Sequence, residues 1–189
     1  MRQADLTRQR LVRAALELFT TRGYHETTTP LLAKKAGVAE GTIYRHFDSK
    51  EHLLNELYRG AARWAIKVVQ DAAQASGSPR ERLQAAARAL VDGAARDAGV
   101  ARILFLERHG TLLDDKSRDA GRDLARALES LVAQGKAQSL VRTGSVELWA
   151  SVWLAVVRHV LEKICAGEWK PDQPAVATAI DAAWEAIAA

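Results

Sequence analysis

The chain has 189 residues, one cysteine and a formal net charge of +4 at pH 7. A single cysteine excludes an intrachain disulfide and fits a reducing compartment. No run of about 18 apolar residues supplies a membrane span, and the N-terminus has no apolar signal core, so we expect a cytoplasmic protein without a membrane partner. The first 47 residues carry eight Lys or Arg against four Asp or Glu, a basic end that suits a polyanion.

Apolar residues recur with a period of 3.6 along the chain, which predicts an all-α fold. The first helix is expected to begin near Thr7 and to end at Gly23. Its apolar stripe has the i, i+3, i+4, i+7, i+8 spacing of a helix that buries one face. The stripe consists of Leu11, Ala14, Ala15, Leu18 and Phe19.

A second and a third helix follow, joined by a glycine corner. Thr28 or Thr29 can cap the second helix, and Gly37 can end it in the left-handed conformation. The third helix is about two turns long and directs Ile43 and Phe47 inwards. Hydroxyl, guanidinium, imidazole and phenol groups remain on its other faces. A short polar helix after such a corner is typical of a helix-turn-helix that enters a duplex groove.

Beyond this head, the pattern predicts a helical body. One helix runs from a Ser49 cap to about Ala75, and a capping box at Ser78 opens the next. Further helices are predicted at about 80–97, 99–108, 117–134 (ended by Gly135), from the Ser145 cap to about Ala166, and from Asp172 or Gln173 to the C-terminus.

The first 58 residues carry many features of one family together. They are Ala14-Ala15-Leu16-Glu17-Leu18-Phe19, Gly23-Tyr24, Leu32-Ala33, Ala36-Gly37-Val38, Gly41-Thr42-Ile43-Tyr44, His46-Phe47, Ser49-Lys50-Glu51 and Leu53-Leu54. Over roughly residues 7–58 the chain resembles the TetR family of bacterial transcription regulators. The resemblance implies a three-helix DNA-binding head at 1–50 and a helical effector-binding and dimerisation body at 51–189.

The resemblance also implies which residues contact an operator. Phosphate would be met by the Thr28 hydroxyl and amide at a helix N-terminus, and by His46 and Lys50 on the flank of the groove. Base edges would be met by Gly41 and Thr42. The remaining implied contacts are Tyr44 to phosphate or a thymine methyl, Arg45 to phosphate or guanine, and Glu40 to cytosine N4. Each of them alone could be an ordinary surface residue.

Two departures from the family pattern concern the operator. Ala39 stands where a capping serine is common, and Glu40 stands where lysine or another polar residue is common. Glutamate favours the first turn of a helix but repels phosphate. The operator sequence therefore does not transfer from other members of the family.

A single head offers few phosphate contacts, so we expect a homodimer that binds a double-stranded operator with inverted symmetry. The predicted interface is a bundle of the two C-terminal helices from each chain. The first helix presents Trp149, Val152, Trp153, Val156, Val157, Val160, Leu161 and Ile164; the second presents Val176, Ala179, Ile180, Ala183, Trp184 and Ile187. The alternative is that both helices are simply the core of a monomer.

The body is expected to hold an apolar pocket with a few polar tips for a small-molecule effector. The candidate lining residues are Trp64, Arg102, Phe105, His109, Trp149 and Trp153. A tryptophan at helical spacing is, however, more often a core or interface residue than part of a ligand cage.

Other chemistry has weaker support in the sequence. His159, Glu162 and Cys165 are spaced i, i+3, i+6 and could serve a metal- or redox-responsive regulator. His109 lies near Asp114 and Asp115, but no nucleophile or glycine-rich loop accompanies them, so an enzyme is not expected, and no cofactor motif occurs. A helical adaptor that merely keeps a helix-turn-helix is a third class. We predict a ligand-responsive DNA-binding regulator, with repression taken from family tendency.

Overall fold

The computed structural model describes residues 3–189, and this part of the chain is built from α-helices. They are α1 (Gln3–Arg22), α2 (Thr29–Ala36), α3 (Glu40–Ile43), α4 (Lys50–Gln74), α5 (Pro79–Arg96), α6 (Ala98–Ala101), α7 (Asp115–Ala137), α8 (Val146–Cys165) and α9 (Pro174–Glu185). A π-helical turn (Arg102–Leu106) follows α6, and a 3₁₀ turn (Gly110–Leu112) precedes α7. Across residues 3–189, β pairing is limited to an isolated bridge between Val141 and Ala188. The all-α prediction is confirmed.

Side-chain caps start four helices where the sequence predicts them, whereas α1 begins at Gln3 and not near Thr7. Thr28, Ser49, Ser78 and Ser145 each accept a hydrogen bond from the backbone N–H three residues further on. Ser78 also forms the complete capping box with Glu81. Each such cap stabilises its helix by about 0.5–2 kcal/mol. None of the helices in the described range is both long and apolar enough to cross a membrane.

Three body helices differ from their predicted extents. The last of them, α9, ends at Glu185 and does not run to the C-terminus. The helix expected at 99–108 is divided into α6 and the π-helical turn, and the backbone becomes extended at Glu107. Gly135 does not end α7, which continues to Ala137. A Cβ at Gly135 would lie 3.0 Å from Val141 Cγ2 and 3.3 Å from Pro79 Cβ, so this glycine allows close packing inside the helix.

The buried side chains form two clusters, and α4 belongs to both. The head cluster includes Leu53, Leu54 and Leu57 from the first turns of α4 together with side chains of α1, α2 and α3. The body cluster includes Ala65 and Val69 from the later turns together with α5, α7, α8 and α9. The head core therefore reaches past residue 50, and the division at 50/51 stays a prediction.

A buried polar network fastens the start of α7 to α4. Asn55 is 1% exposed; its Nδ2 donates to the Leu112 carbonyl at 2.8 Å, and its Oδ1 accepts from the Asp114 backbone N–H at 2.9 Å. Arg59 pairs with the Asp114 carboxylate at 2.9 Å. Burial raises the pKa of Asp114, but hydrogen bonds from Ser117 and the Arg59 charge outweigh it, so the pKa lies below its usual value. The carboxylate that caps α7 thus stays ionised.

Two glycines in helix interiors provide a matched test of packing around Trp64. A Cβ at Gly93 would lie 2.1 Å from Trp64 Cζ2, whereas a Cβ at Gly60 would meet only Arg63 Nη2, at 3.9 Å. We expect Gly93→Ala to lower the free energy of unfolding by about 1–3 kcal/mol because the indole must move. Gly60→Ala is expected to raise it by about 0.5–1 kcal/mol. Urea unfolding of both variants checks this, and equal changes would contradict the packing described here.

Candidate nucleic-acid interface

The corner between α2 and α3 is fixed by a glycine and an arginine. Gly37 has a φ of +64°, and its N–H bonds back to the last turn of α2. Arg10 reaches across from α1 and donates to the Gly37 carbonyl at 2.7 Å. Ile43 and Phe47 are each 1% exposed in the head core, so the orientation of α3 is set by both burial and the corner, as the sequence predicts for these two residues.

The outward surface of α3 is open and polar. Glu40, Gly41, Tyr44 and Arg45 are exposed, and Tyr44 is 54% exposed. A Cβ added at Gly41 would meet nothing within 4 Å. This surface therefore lets another molecule approach the backbone of α3 closely at Gly41.

α3 itself is shorter than predicted. Its α-helical bonding covers four residues, and the chain then continues through turns in which the Arg45 N–H donates to the Thr42 carbonyl and the His46 N–H to the Ile43 carbonyl. Thr42 and His46 are half-buried, and the His46 ring lies 6.5 Å from the Phe47 ring. These two side chains thus border the exposed surface.

The N-terminus of α2 lies beside the start of α3. The Thr29 hydroxyl donates to Glu40 Oε1 at 3.1 Å, and the exposed Thr28 caps α2 with its own hydroxyl. No side chain caps α3, since Ala39 occupies its cap position. Seven of the eight predicted contact residues, Thr28, Glu40, Gly41, Thr42, Tyr44, Arg45 and His46, are therefore brought together on the α2–α3 part of the head.

This helix-turn-helix segment matches a family model described as bacterial regulatory proteins of the tetR family, over residues 11–57. Residues 11–57 therefore carry the DNA-binding segment of the TetR family. A crystal structure of a TetR family transcription regulator from Marinobacter aquaeolei VT8 has a TM-score of 0.83 and 22% identity, covering 100% of this chain and 99% of that one. The likeness of fold to that structure thus extends over the whole body.

Curated relatives match mainly the head of this chain. The HTH-type transcriptional repressor KstR2 of Mycobacterium tuberculosis is 37% identical over 82 residues, which are 43% of this chain and 41% of the relative. The fatty acid metabolism regulator protein of Bacillus subtilis is 31% identical over 83 residues, 44% and 43% of the two chains. The match therefore spans about two fifths of each relative's length.

Lys50, the eighth predicted DNA contact, forms its hydrogen bonds within the head. Its Nζ donates to the carbonyls of Tyr24 and Thr27, both at 2.8 Å, and lies 4.1 Å from the centroid of the Tyr24 ring. Burial lowers the pKa of the Lys50 ammonium. Two of its three N–H groups hold the loop before Thr28, so one remains for any external partner.

Sequence reasoning missed the structural part played by Arg10. The residue is 27 positions away from the carbonyl it binds, and no periodicity or local motif connects two such positions. Its guanidinium occupies the space beneath Gly37, where a Cβ would lie 2.5 Å from Arg10 Nη2. The glycine is therefore required by its φ, and a side chain at this position would also displace the Arg10 guanidinium.

The six predicted effector-pocket residues do not line one cavity in the described structure. Trp64 lines a cleft beside α1, Arg102 a second cleft, and Phe105 a third cavity of about 140 Å³. The other three are held by the protein itself: His109 bonds the Ile103 carbonyl at 2.6 Å, Trp149 donates to the Thr143 carbonyl at 3.1 Å, and Trp153 is 1% exposed. Their role in binding an effector stays a prediction.

The residues of the metal-binding alternative do not form a metal site within the described part of a single chain. The described residues contain no group of three His, Cys, Asp or Glu side chains placed to hold a metal ion. His159 packs edge-on against Trp169 with ring centroids 5.9 Å apart, whereas the Cys165 thiol donates to the Ala98 carbonyl at 3.8 Å. Burial raises the pKa of Cys165, which disfavours a reactive thiolate.

The internal role of Lys50 yields a test. In Lys50→Met the carbonyls of Tyr24 and Thr27 lose their donor, so we expect the free energy of unfolding to fall by about 1–3 kcal/mol. Lys34→Met is the matched control, because Lys34 is exposed on α2 and surface substitutions usually change stability by less than about 0.5 kcal/mol. Chemical denaturation compares the two. Equal stabilities would show that the Lys50 bonds contribute nothing.

Proposed function

We propose that this protein binds an operator in double-stranded DNA through α2 and α3 and regulates transcription, acting as a repressor that a small-molecule effector releases. The observation that carries the proposal is the exposed, polar α3 surface, open at Gly41 and held on a rigid corner. This surface lies inside the segment that matches the family. The names of the relatives support regulation, and that of KstR2 supports repression.

The proposed contacts follow from the chemistry of the exposed groups. The N-terminus of α2, with the Thr28 hydroxyl and free backbone amides, suits a phosphate. Gly41 lets the α3 backbone come close to the base edges, where Tyr44 and Arg45 can reach phosphate or bases. Glu40 keeps acceptor capacity beyond its bond with Thr29, which suits a cytosine amino group.

The proposed partner of each chain is a second copy, joined through α8 and α9. Most of the apolar band predicted for this interface, including Trp153, Val157 and Trp184, is buried within one chain. The outward side of α8 instead carries Leu148, which is 48% exposed, and Ala155. The outward side of α9 carries small residues that allow helices to approach closely, namely Ala175, Thr178, Ala179 and Ala182. A pair of such faces fits a four-helix bundle.

In this proposal, release works through the distance between the two heads. An effector that binds one placement of α4 about 100-fold better shifts the equilibrium by about 2.7 kcal/mol. Linkage requires operator DNA to weaken effector binding by the same factor. The reducing environment indicated by the cysteine content suits a cytoplasmic regulator.

The DNA-binding proposal is tested by Gly41→Ala. The added methyl group fits the free protein but occupies the space where a duplex would approach, so we expect unchanged or higher thermal stability and at least a tenfold loss of affinity, which is about 1.4 kcal/mol. Genomic fragments selected by the purified protein supply the duplex, and fluorescence anisotropy measures the affinity. The selected fragments should share an inverted repeat.

Gly121→Ala is the matched control, since it makes the same change in α7, outside the head, where the added Cβ meets only the Tyr58 side chain. It should bind the selected duplex like the parent chain. Failure to select any sequence over random duplex at moderate salt, or equal affinities of Gly41→Ala and the parent, would refute DNA binding by this surface.

The proposed dimer interface is tested by placing a charge on the outward side of α8. Ala155→Glu buries an unpaired carboxylate if two copies of this surface meet, so we expect a change from dimer to monomer in analytical ultracentrifugation. Ala95→Glu makes the same change at an exposed position of α5 and should stay dimeric. A parent chain that is monomeric at micromolar concentration, or an Ala155→Glu variant that remains dimeric, would contradict the interface.

A further inference from the structure

A cleft of about 520 Å³ separates the head helix α1 from α4, the end of α5 and α6. This volume lies within the roughly 300–1,000 Å³ range of small-molecule sites. Its floor is apolar and includes Leu57, Ala61 and Ile103, all of them buried. Trp64 forms one wall, where its indole lies over Gly93. The cleft is therefore suited to an apolar chain or ring.

The rim of the same cleft carries an excess of positive charge. Four arginines line it, namely Arg8, Arg13, Arg63 and Arg96, against two acids, Glu56 and Asp97. The acids are already engaged, because Arg8 pairs with Glu56 at 2.7 Å and Arg13 pairs with Asp97. Within residues 3–189, the guanidinium groups of Arg63 and Arg96 have no acidic partner. Two positive charges at an apolar cleft favour an anionic group at its mouth.

We propose that this cleft binds an amphipathic anion, a molecule with one extended apolar chain and a terminal carboxylate. The chain lies on the floor formed by Leu57, Ala61 and Ile103, and the carboxylate meets Arg63 and Arg96. Arginine suits this partner because its planar guanidinium can donate two parallel hydrogen bonds to one carboxylate. Gly60 leaves room for this chain, whereas the space over Gly93 is filled by the Trp64 indole.

The cleft also connects the two parts of the molecule. Arg8 and Arg13 belong to α1, whereas their partners Glu56 and Asp97 lie on α4 and at the start of α6. A carboxylate bound by Arg63 and Arg96 adds a negative charge to the rim that carries these two ion pairs and repels Glu56 and Asp97, so occupancy alters how α1 is held against the body. This consequence rests on the proposed DNA-binding function, whereas binding in the cleft itself does not.

Calorimetric titration of the purified chain without DNA tests the site. The probe is decanoate, and decanol and decyltrimethylammonium have the same chain with a neutral and a positive end. We expect saturable binding of decanoate with one molecule per chain, at least tenfold weaker binding of decanol and no binding of the cation. Equal binding of decanoate and decanol, or no saturable decanoate binding up to millimolar concentration, would overturn the proposal.

Variants locate the binding. Arg63→Gln with Arg96→Gln should weaken decanoate binding at least tenfold, whereas Arg122→Gln with Arg126→Gln, exposed arginines of α7, should leave it unchanged. Gly60→Leu fills the cleft from a position where the helix has open space and should abolish binding while the chain stays folded by circular dichroism. Binding that survives Gly60→Leu would place decanoate elsewhere and refute this site. Loss of operator binding in any variant bears on the proposed function alone.

Discussion

The continuous burial of α4 in two hydrophobic clusters is the constraint on which the rest of the structure depends. A helix of 25 residues is about 37 Å long, and its first turns are held by the head while its later turns are held by the body. Since a packed helix bends little within its length, any displacement of its body end moves the head as well. The Asn55 and Arg59 network then ties this helix to the start of α7, so three parts of the molecule share one element.

The head was largely predictable because its determinants are local. Gly37 acts through its own backbone conformation, and Thr28 and Ser49 act through hydrogen bonds to residues three positions away. Such short-range signals can be recognised directly in the sequence. The inward residues Ile43 and Phe47 follow from helical spacing alone. By contrast, the Arg10 bond to Gly37 and the Lys50 bonds to Tyr24 and Thr27 join residues that are 23 to 27 positions apart. No periodic pattern in the sequence predicts such bonds.

The body was predictable in its helices but not in its cavities. Apolar spacing identifies Trp153 and Trp184 as inward residues, but it does not say whether a tryptophan faces its own core, a second chain or a ligand. The structure buries both within one chain. The break after α6 and the continuation of α7 through Gly135 depend on which side chains of other helices lie opposite, which is information about tertiary packing.

The polar groups between α1 and the body favour one position of α1 relative to the body, although each of them binds only weakly. Ion pairs such as Arg8 with Glu56 are partly exposed, and exposed pairs each contribute only about 0–1 kcal/mol. The apolar contacts beneath them fix the distance between α1 and α4, while the charges select among nearby placements at small energetic cost. A few kilocalories per mole from a ligand are then enough to change that selection among placements that keep the shared core of α1 and α4 packed.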